Sequence, residues 1–417
     1  MVYLKTKWFK LDNAAKIFPP ISNKNDPKVF RFTCILKEKI DQNILQESVN
    51  ESLIFFPNFR SILKKGFFWH YLETTNLNPI VKEEKKDICS SIYNKNKKKL
   101  LFRVNYYKNR INLEVYHALT DGTGALEFLK TIVYIYVSKK YNIEEFSFDY
   151  DASLNEKSSD SFNKYYKFQL NKIEKSNKVY QIKGDKLNKI NVINGCMNTN
   201  DLISLAHKYN TTLTCLIVSI YILAIKENMD LKDENKFIEI DVPVNLRKYF
   251  KSQTARNFFS VIKLKYKGSN NLEDIIKYVD RNLKDELKKD NLFKTMNKYA
   301  NFEHNFLIRL IPLFIKNFIL KIIMRYIKST STVTNLGIIK VDDLIKDYID
   351  SFEVYVSTDK MQISMCSYLD KLNISFTSIF DNMDIIKNFY RKLSSFGIDI
   401  IITTNKMGGK NENMQKM

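Results

Sequence analysis

The sequence predicts an α/β protein of two halves, each carrying strands and helices in similar amounts. Three observations lead there. The chain has 417 residues, too many for one compact core and enough for two at roughly 150 residues per domain. Hydrophobic residues make up 44% of it and aromatics 13%, which excludes a wholly disordered, collagen-like or low-complexity chain. Glycine and proline number only 10 and 7, so regular elements with few elaborate loops are expected.

The first strand is expected at 29–37. A helix follows at 42–55, where Ile44, Leu45, Val49, Leu53 and Ile54 recur at helical spacing until Pro57 stops it. Residues 59–63 and 67–72 read as a hairpin around 64–66. A basic, weakly patterned stretch leads to strands at 100–107 and 111–116 and a helix at 124–141. Residues 1–150 thus form one unit, and 151–191, rich in Ser, Asn and Lys, read as a crossover linker. The second unit, 192–404, opens with helices at 199–207 and 213–228 and strands at 237–242 and 258–265. A charged helix at 272–289 and basic apolar helices up to 328 come next. Strands at 351–357, 362–368 and 372–377, a helix at 383–395 and a flexible polar tail at 405–417 finish the chain.

Charge narrows the function classes. The formal net charge is +21, yet only 10 of the 67 basic residues are Arg, the side chain that reads guanine edges and clamps phosphates in pairs of bonds. The bases are scattered and no nucleic-acid-binding motif is present, so no nucleic-acid partner is expected. Five cysteines, far apart and without a C-x-x-C, argue against a disulfide framework and against a Cys-based zinc site. The amphipathic start lacks the apolar run of a signal peptide, so a cytoplasmic location is expected. The most apolar stretch, 305–327, is broken by Arg309, Pro312, Lys316, Lys321 and Arg325, so it is not a membrane span. It reads as core helix with snorkelling lysines, with contact at a membrane surface as the alternative.

The segment 111–124 carries the chemistry. Strand alternation puts Ile111, Leu113, Val115 and His117 on one face, which is the apolar one. Asp121 and Gly122 follow, where the chain turns into the next helix. A buried imidazole kept near neutrality suits a general base. A core histidine, with Asp121 merely capping the helix, is the other reading. His70, His207 and His304 have no partner at metal-ligand spacing and read as structural or surface residues; no metal is expected.

His117-x-x-x-Asp121-Gly122 after a strand resembles the active-site motif of the acyl-CoA-dependent acyltransferase superfamily, which includes chloramphenicol acetyltransferases and peptide-synthetase condensation domains. Other stretches keep the order of its alcohol acetyltransferase branch. They are Trp8 to Pro19, Phe56-Pro-Asn-Phe-Arg60 with Gly66-Phe-Phe-Trp69, Val242 to Arg247 with Arg256-Asn-Phe258, and Thr334 to Gly337. Tyr116 stands where condensation domains carry a second histidine, and the Asp-Phe-Gly-Trp-Gly motif of the plant branch is absent.

The resemblance implies two chloramphenicol-acetyltransferase-like α+β sandwiches with a tunnel between them. It implies His117 as general base. Asp121 and Gly122 would be structural, with Asp121 turned away to pair with Arg247. Asn335 would be an oxyanion donor or a tunnel residue. A strand-end surface place for Arg247 and a turn-forming role for Asn335 remain the plainer readings. No cofactor would be bound. Acyl-CoA, acetyl-CoA above all, would be the co-substrate, and a small alcohol or amine the acceptor. A donor loaded on an acyl carrier protein, or a non-catalytic binding member of the fold, are the alternatives.

Overall fold

The computed structural model describes residues 7–144, 152–168 and 178–405. The first half opens with β1 (Trp8–Lys10), the one-turn α1 (Phe18–Ile21), β2 (Val29–Leu36) and α2 (Gln42–Phe55). The hairpin β3 (Ser61–Lys65) and β4 (His70–Thr74) follows, then β5 (Lys82–Glu83), β6 (Phe102–Tyr107), β7 (Arg110–Tyr116) and α3 (Gly122–Tyr141). Two short helices, α4 (Leu154–Ser158) and α5 (Ser161–Tyr165), precede the long β8 (Lys186–Asn198), α6 (Thr199–Lys208) and α7 (Leu213–Glu227). Next come β9 (Ile238–Asn245), β10 (Phe259–Tyr266), α8 (Leu272–Glu286), α9 (Lys289–His304), α10 (Phe306–Leu310) and α11 (Leu313–Tyr326). The chain closes with β11 (Ser331–Ile338), β12 (Ile349–Val356), β13 (Met361–Tyr368), β14 (Lys371–Phe380), α12 (Asp384–Ser394) and β15 (Ile401–Thr404). The tail at 405–417 lies outside the described residues apart from Asn405.

Local chemistry explains most of these boundaries. Asp41 starts α2 by accepting from the N–H groups of Asn43 and Ile44, and Pro57 lies just past its end. Thr212 does the same for α7, whose side chains from Cys215 to Ile225 are all buried. The hairpin is shifted by two residues, because it turns at Gly66–Trp69, where the Gly66 N–H donates to the Trp69 carbonyl.

The first sheet has the order β12-β2-β7-β6-β5 and the second β10-β9-β11-β13-β14-β8-β15, with a small third sheet β1-β4-β3. Each large sheet has its own apolar core, one centred on Phe32, Leu113 and Phe128 and the other on Ile217, Tyr221 and Phe376. Larger features also depart from the sequence reading. Strand β12 lies within the expected second unit, yet it pairs antiparallel with β2 from Phe352 opposite Cys34 to Val356 opposite Phe30. β8 begins at Lys186, inside the expected linker. A further departure is a correction: α11 is not a core helix, since Phe314, Phe318, Ile322 and Ile323 are exposed while Lys316 is buried. Its apolar residues outnumber the positions that the core can cover.

Candidate active site

Strand β7 ends at Tyr116, and the next N–H, that of His117, donates to the Lys28 carbonyl at 2.9 Å and so extends the ladder with β2 by one bond. Alternation then sets the ring's direction. Val115 lies opposite Phe30, and the His117 ring meets Phe30 edge-on at 5.0 Å and stacks on Phe18 at 4.3 Å. Phe18 is brought there by α1, and Phe259 approaches from β10 at 5.7 Å. His117 is therefore half-buried in an aromatic collar. Burial, first of all, holds its imidazole below the ordinary value of 6.5, against the opposing influence of Asp121 and of the hydrogen bond that the ring donates to Asn257.

That bond fixes the tautomer. Asn257 Oδ1 lies 3.1 Å from His117 Nδ1, and Asn257 Nδ2 donates to Asp12 Oδ2 at 3.2 Å. Asp12 Oδ1 also accepts from the Ala15 N–H at 2.8 Å. A carboxylate only accepts, so the Asn257 amide donates towards Asp12 and offers its carbonyl to the ring. Nδ1 then carries the proton and Nε2 the lone pair. Burial pushes the Asp12 carboxyl up to about 6, with Arg256 nearby opposing the rise, so at neutral pH it is ionised and the chain of bonds is intact. Neither Asp12 nor Asn257 stood out as a functional residue in the sequence. Both lay in stretches that carried the resemblance, but nothing local ties positions 12, 117 and 257 together.

Asp121 faces the other way. It caps α3 by accepting from the Gly124 N–H at 3.0 Å, and it accepts from the Phe258 N–H at 2.8 Å. Arg247 meets it in a two-point contact, Nη1 to Oδ2 at 2.8 Å and Nη2 to Oδ1 at 3.3 Å. The helix cap and the ion pair are both made by the one carboxylate. Arg247 is no surface residue: it sits in the turn after β9, and its remaining donors reach the carbonyls of Thr254, Arg256 and Phe258. Gly122 opens α3 beside Leu336 and Phe32. Gly124 is tighter still, since a Cβ there would meet the Ala255 carbonyl and the Thr120 hydroxyl at 2.2 Å.

Between the halves lies a cavity of about 1280 Å³, lined by Phe18, Phe30 and His117 from the first and by Thr214, Asn335 and Phe259 from the second. Asn335 sits on β11 just before an irregularity in its pairing with β13. Its Oδ1 accepts from the Gly337 N–H at 2.7 Å, as a turn-former does, and Gly337 has φ +77°. Its Nδ2 donates to Thr214 Oγ1 at 2.8 Å, which leaves the Thr214 hydroxyl hydrogen for another acceptor. Lys28, Lys248, Lys284, Arg325 and Lys360 also line the cavity. The other histidines stand apart: His70 is buried on β4, His207 is in the last turn of α6, and His304 stacks on Tyr166 at 3.7 Å.

No protein-family model matches the sequence, and no curated protein matches it. Solved structures do match. TRI101 of F. graminearum, complexed with coenzyme A and deoxynivalenol, aligns with a TM-score of 0.65 at 10% identity over 93% of this chain and 97% of its own. Polyketide synthase associated protein 5 from Mycobacterium tuberculosis gives 0.61 at 13% identity, over 93% of this chain and 97% of that one. The first condensation domain of the CDA synthetase gives 0.61 at 10% identity, over 94% and 96%. By its architecture, then, with two sheets, a strand exchanged between them and a cavity where they meet, the chain has the fold of the chloramphenicol-acetyltransferase-like and condensation-domain superfamily.

Proposed function

We propose that this protein is an acyl-CoA-dependent acyltransferase, which moves an acyl group, acetyl by preference, from a CoA thioester to the hydroxyl or amine of a small acceptor. The observation that carries the reading is His117: a neutral imidazole on the wall of the inter-half cavity, its Nδ1 committed to Asn257. Nε2 takes the proton from the acceptor, whose oxygen or nitrogen forms a bond to the thioester carbonyl carbon. The resulting tetrahedral oxyanion collapses, the C–S bond breaks, and the thiolate takes the proton back from Nε2. No covalent enzyme intermediate is needed. Asp121, tied to Arg247 and to the start of α3, positions the His117 loop and is not a second base. The lysines and Arg325 around the cavity supply the charge that a phosphate-bearing donor requires.

The order of motifs favours an alcohol acetyltransferase-like activity within the superfamily. A carrier-protein-bound donor is the second reading, favoured by the net charge of +21, which suits an acidic carrier.

The test is thiol release from acetyl-CoA and longer acyl-CoAs against a panel of alcohols and amines, with His117→Ala alongside. Acceptor-dependent release should fall by roughly 10²–10⁴-fold in the variant. Release that survives the substitution removes His117 from its role. No release with CoA donors, but turnover of a carrier-bound acyl group, selects the second reading.

A further inference from the structure

Helices α10 and α11 leave most of their large apolar side chains outside the core. The buried positions of α11 are Leu313, Lys316 and Leu320, and α10 has none. Lys316 is only 2% exposed: its ammonium lies 3.7 Å from the centre of the Trp69 ring and donates to the Phe68 and Arg309 carbonyls. The large apolar side chains face outward instead, with Phe306 71%, Phe314 74% and Phe318 64% exposed. The tip of the β3–β4 hairpin joins them, since the Phe67 carbonyl accepts from the Leu313 N–H at 2.9 Å while its ring is 72% exposed. A contiguous apolar face of this kind marks a surface that water does not cover.

Its charge says what does. Residues 305–328 include no Asp or Glu, and besides the buried Lys316 they carry the exposed Arg309, Lys321, Arg325 and Lys328. Lys95 adds to the same side, close enough to both Lys321 and Lys65 to feel their charges. Two copies meeting through this face would set cation against cation, and the face offers no acid to offset them. Among the described residues, no single helix is long and apolar enough to cross a bilayer. A short helix with exposed aromatics and flanking cations has the chemistry of one that lies on a bilayer.

We propose that α10, α11 and the β3–β4 tip dock on an anionic lipid surface. Phe67, Phe306, Phe314 and Phe318 enter the boundary between headgroups and acyl chains, and the cations meet lipid phosphates. Lys321, Met324 and Arg325 of α11 also line the inter-half cavity, so the docked helix and the cavity share a wall.

The experiment is co-sedimentation of the full chain with vesicles of phosphatidylcholine alone and of a phosphatidylcholine–phosphatidylglycerol mixture. The wild type should sediment with the mixed vesicles. Phe306→Ser/Phe314→Ser/Phe318→Ser should lose binding by roughly tenfold or more with its melting temperature unchanged, and Phe67→Ser should lose part of it from a separate element. A wild type that stays in solution with both vesicles overturns the proposal. So does binding that the substitutions leave intact and added salt abolishes, because the overall charge then suffices. A wild-type dimer that the triple variant converts to monomer, without vesicle binding, gives the face to a second copy and equally overturns it.

Discussion

At the scale of single residues, the site is a matter of which nitrogen holds a proton. Burial keeps His117 below 6.5, and a base must be neutral to act, so activity is present above its value and lost as pH falls through it. The acid limb of kcat/KM should therefore centre below 6.5, read from initial rates between pH 4.5 and 8 with acetyl-CoA; a limb above that excludes this imidazole as the titrating base. Asn257 stabilises the charged ring through Nδ1. Asn257→Ala should thus move the limb lower still and cut kcat by roughly tenfold through lost orientation, whereas loss of activity without a shift would make Asn257 a packing residue only. His117 and its face were legible from alternation alone, because a strand has a strict period of two. Asn257 and Asp12 were not, since hydrogen bonds between positions 140 and 245 residues apart leave no local pattern.

Among elements, α3 anchors the site to the second half. Removing one partner of the Asp121–Arg247 contact leaves the other charge buried, at a cost of about 3–5 kcal/mol. Asp121→Ala and Arg247→Ala should each lower stability by that order in urea titrations and combine to much less than their sum; additive losses would deny the coupling. The two glycines of the same turn should differ. Gly124→Ala forces a Cβ against the Ala255 backbone and should destabilise by about 1–3 kcal/mol. Gly122→Ala meets only the flexible end of Leu336 at 3.1 Å, and alanine's better helix propensity offsets it to within about 1 kcal/mol. Equal effects would contradict the packing at Gly124. Helix α2 was readable to its last residue because cap, period and proline agree. β11 went unseen, its Asn335-Leu-Gly337 reading as a turn, which the side chain of Asn335 does make inside the strand.

For the whole molecule, the exchange of β12 matters most. Phe352 and Val354 are buried on a strand that completes the first sheet from deep within the second unit. A fragment ending at residue 144 should therefore lack near-ultraviolet circular dichroism and aggregate through the open edge of β2, while the full chain unfolds in one transition by that probe and by far-ultraviolet dichroism. A soluble, ordered fragment would show the first half to be autonomous. The two-part α/β character, most helices and the His117–Asp121–Gly122 turn can be read along the chain, because periodicity, caps and glycine are short-range physics. The fold in space adds that Asp12 reaches His117 through Asn257, that β12 crosses between sheets and that α11 turns much of its apolar surface outward. Each of these depends on which distant surfaces meet, and burial, charge pairing and hydrogen bonding act through space without regard to separation along the chain.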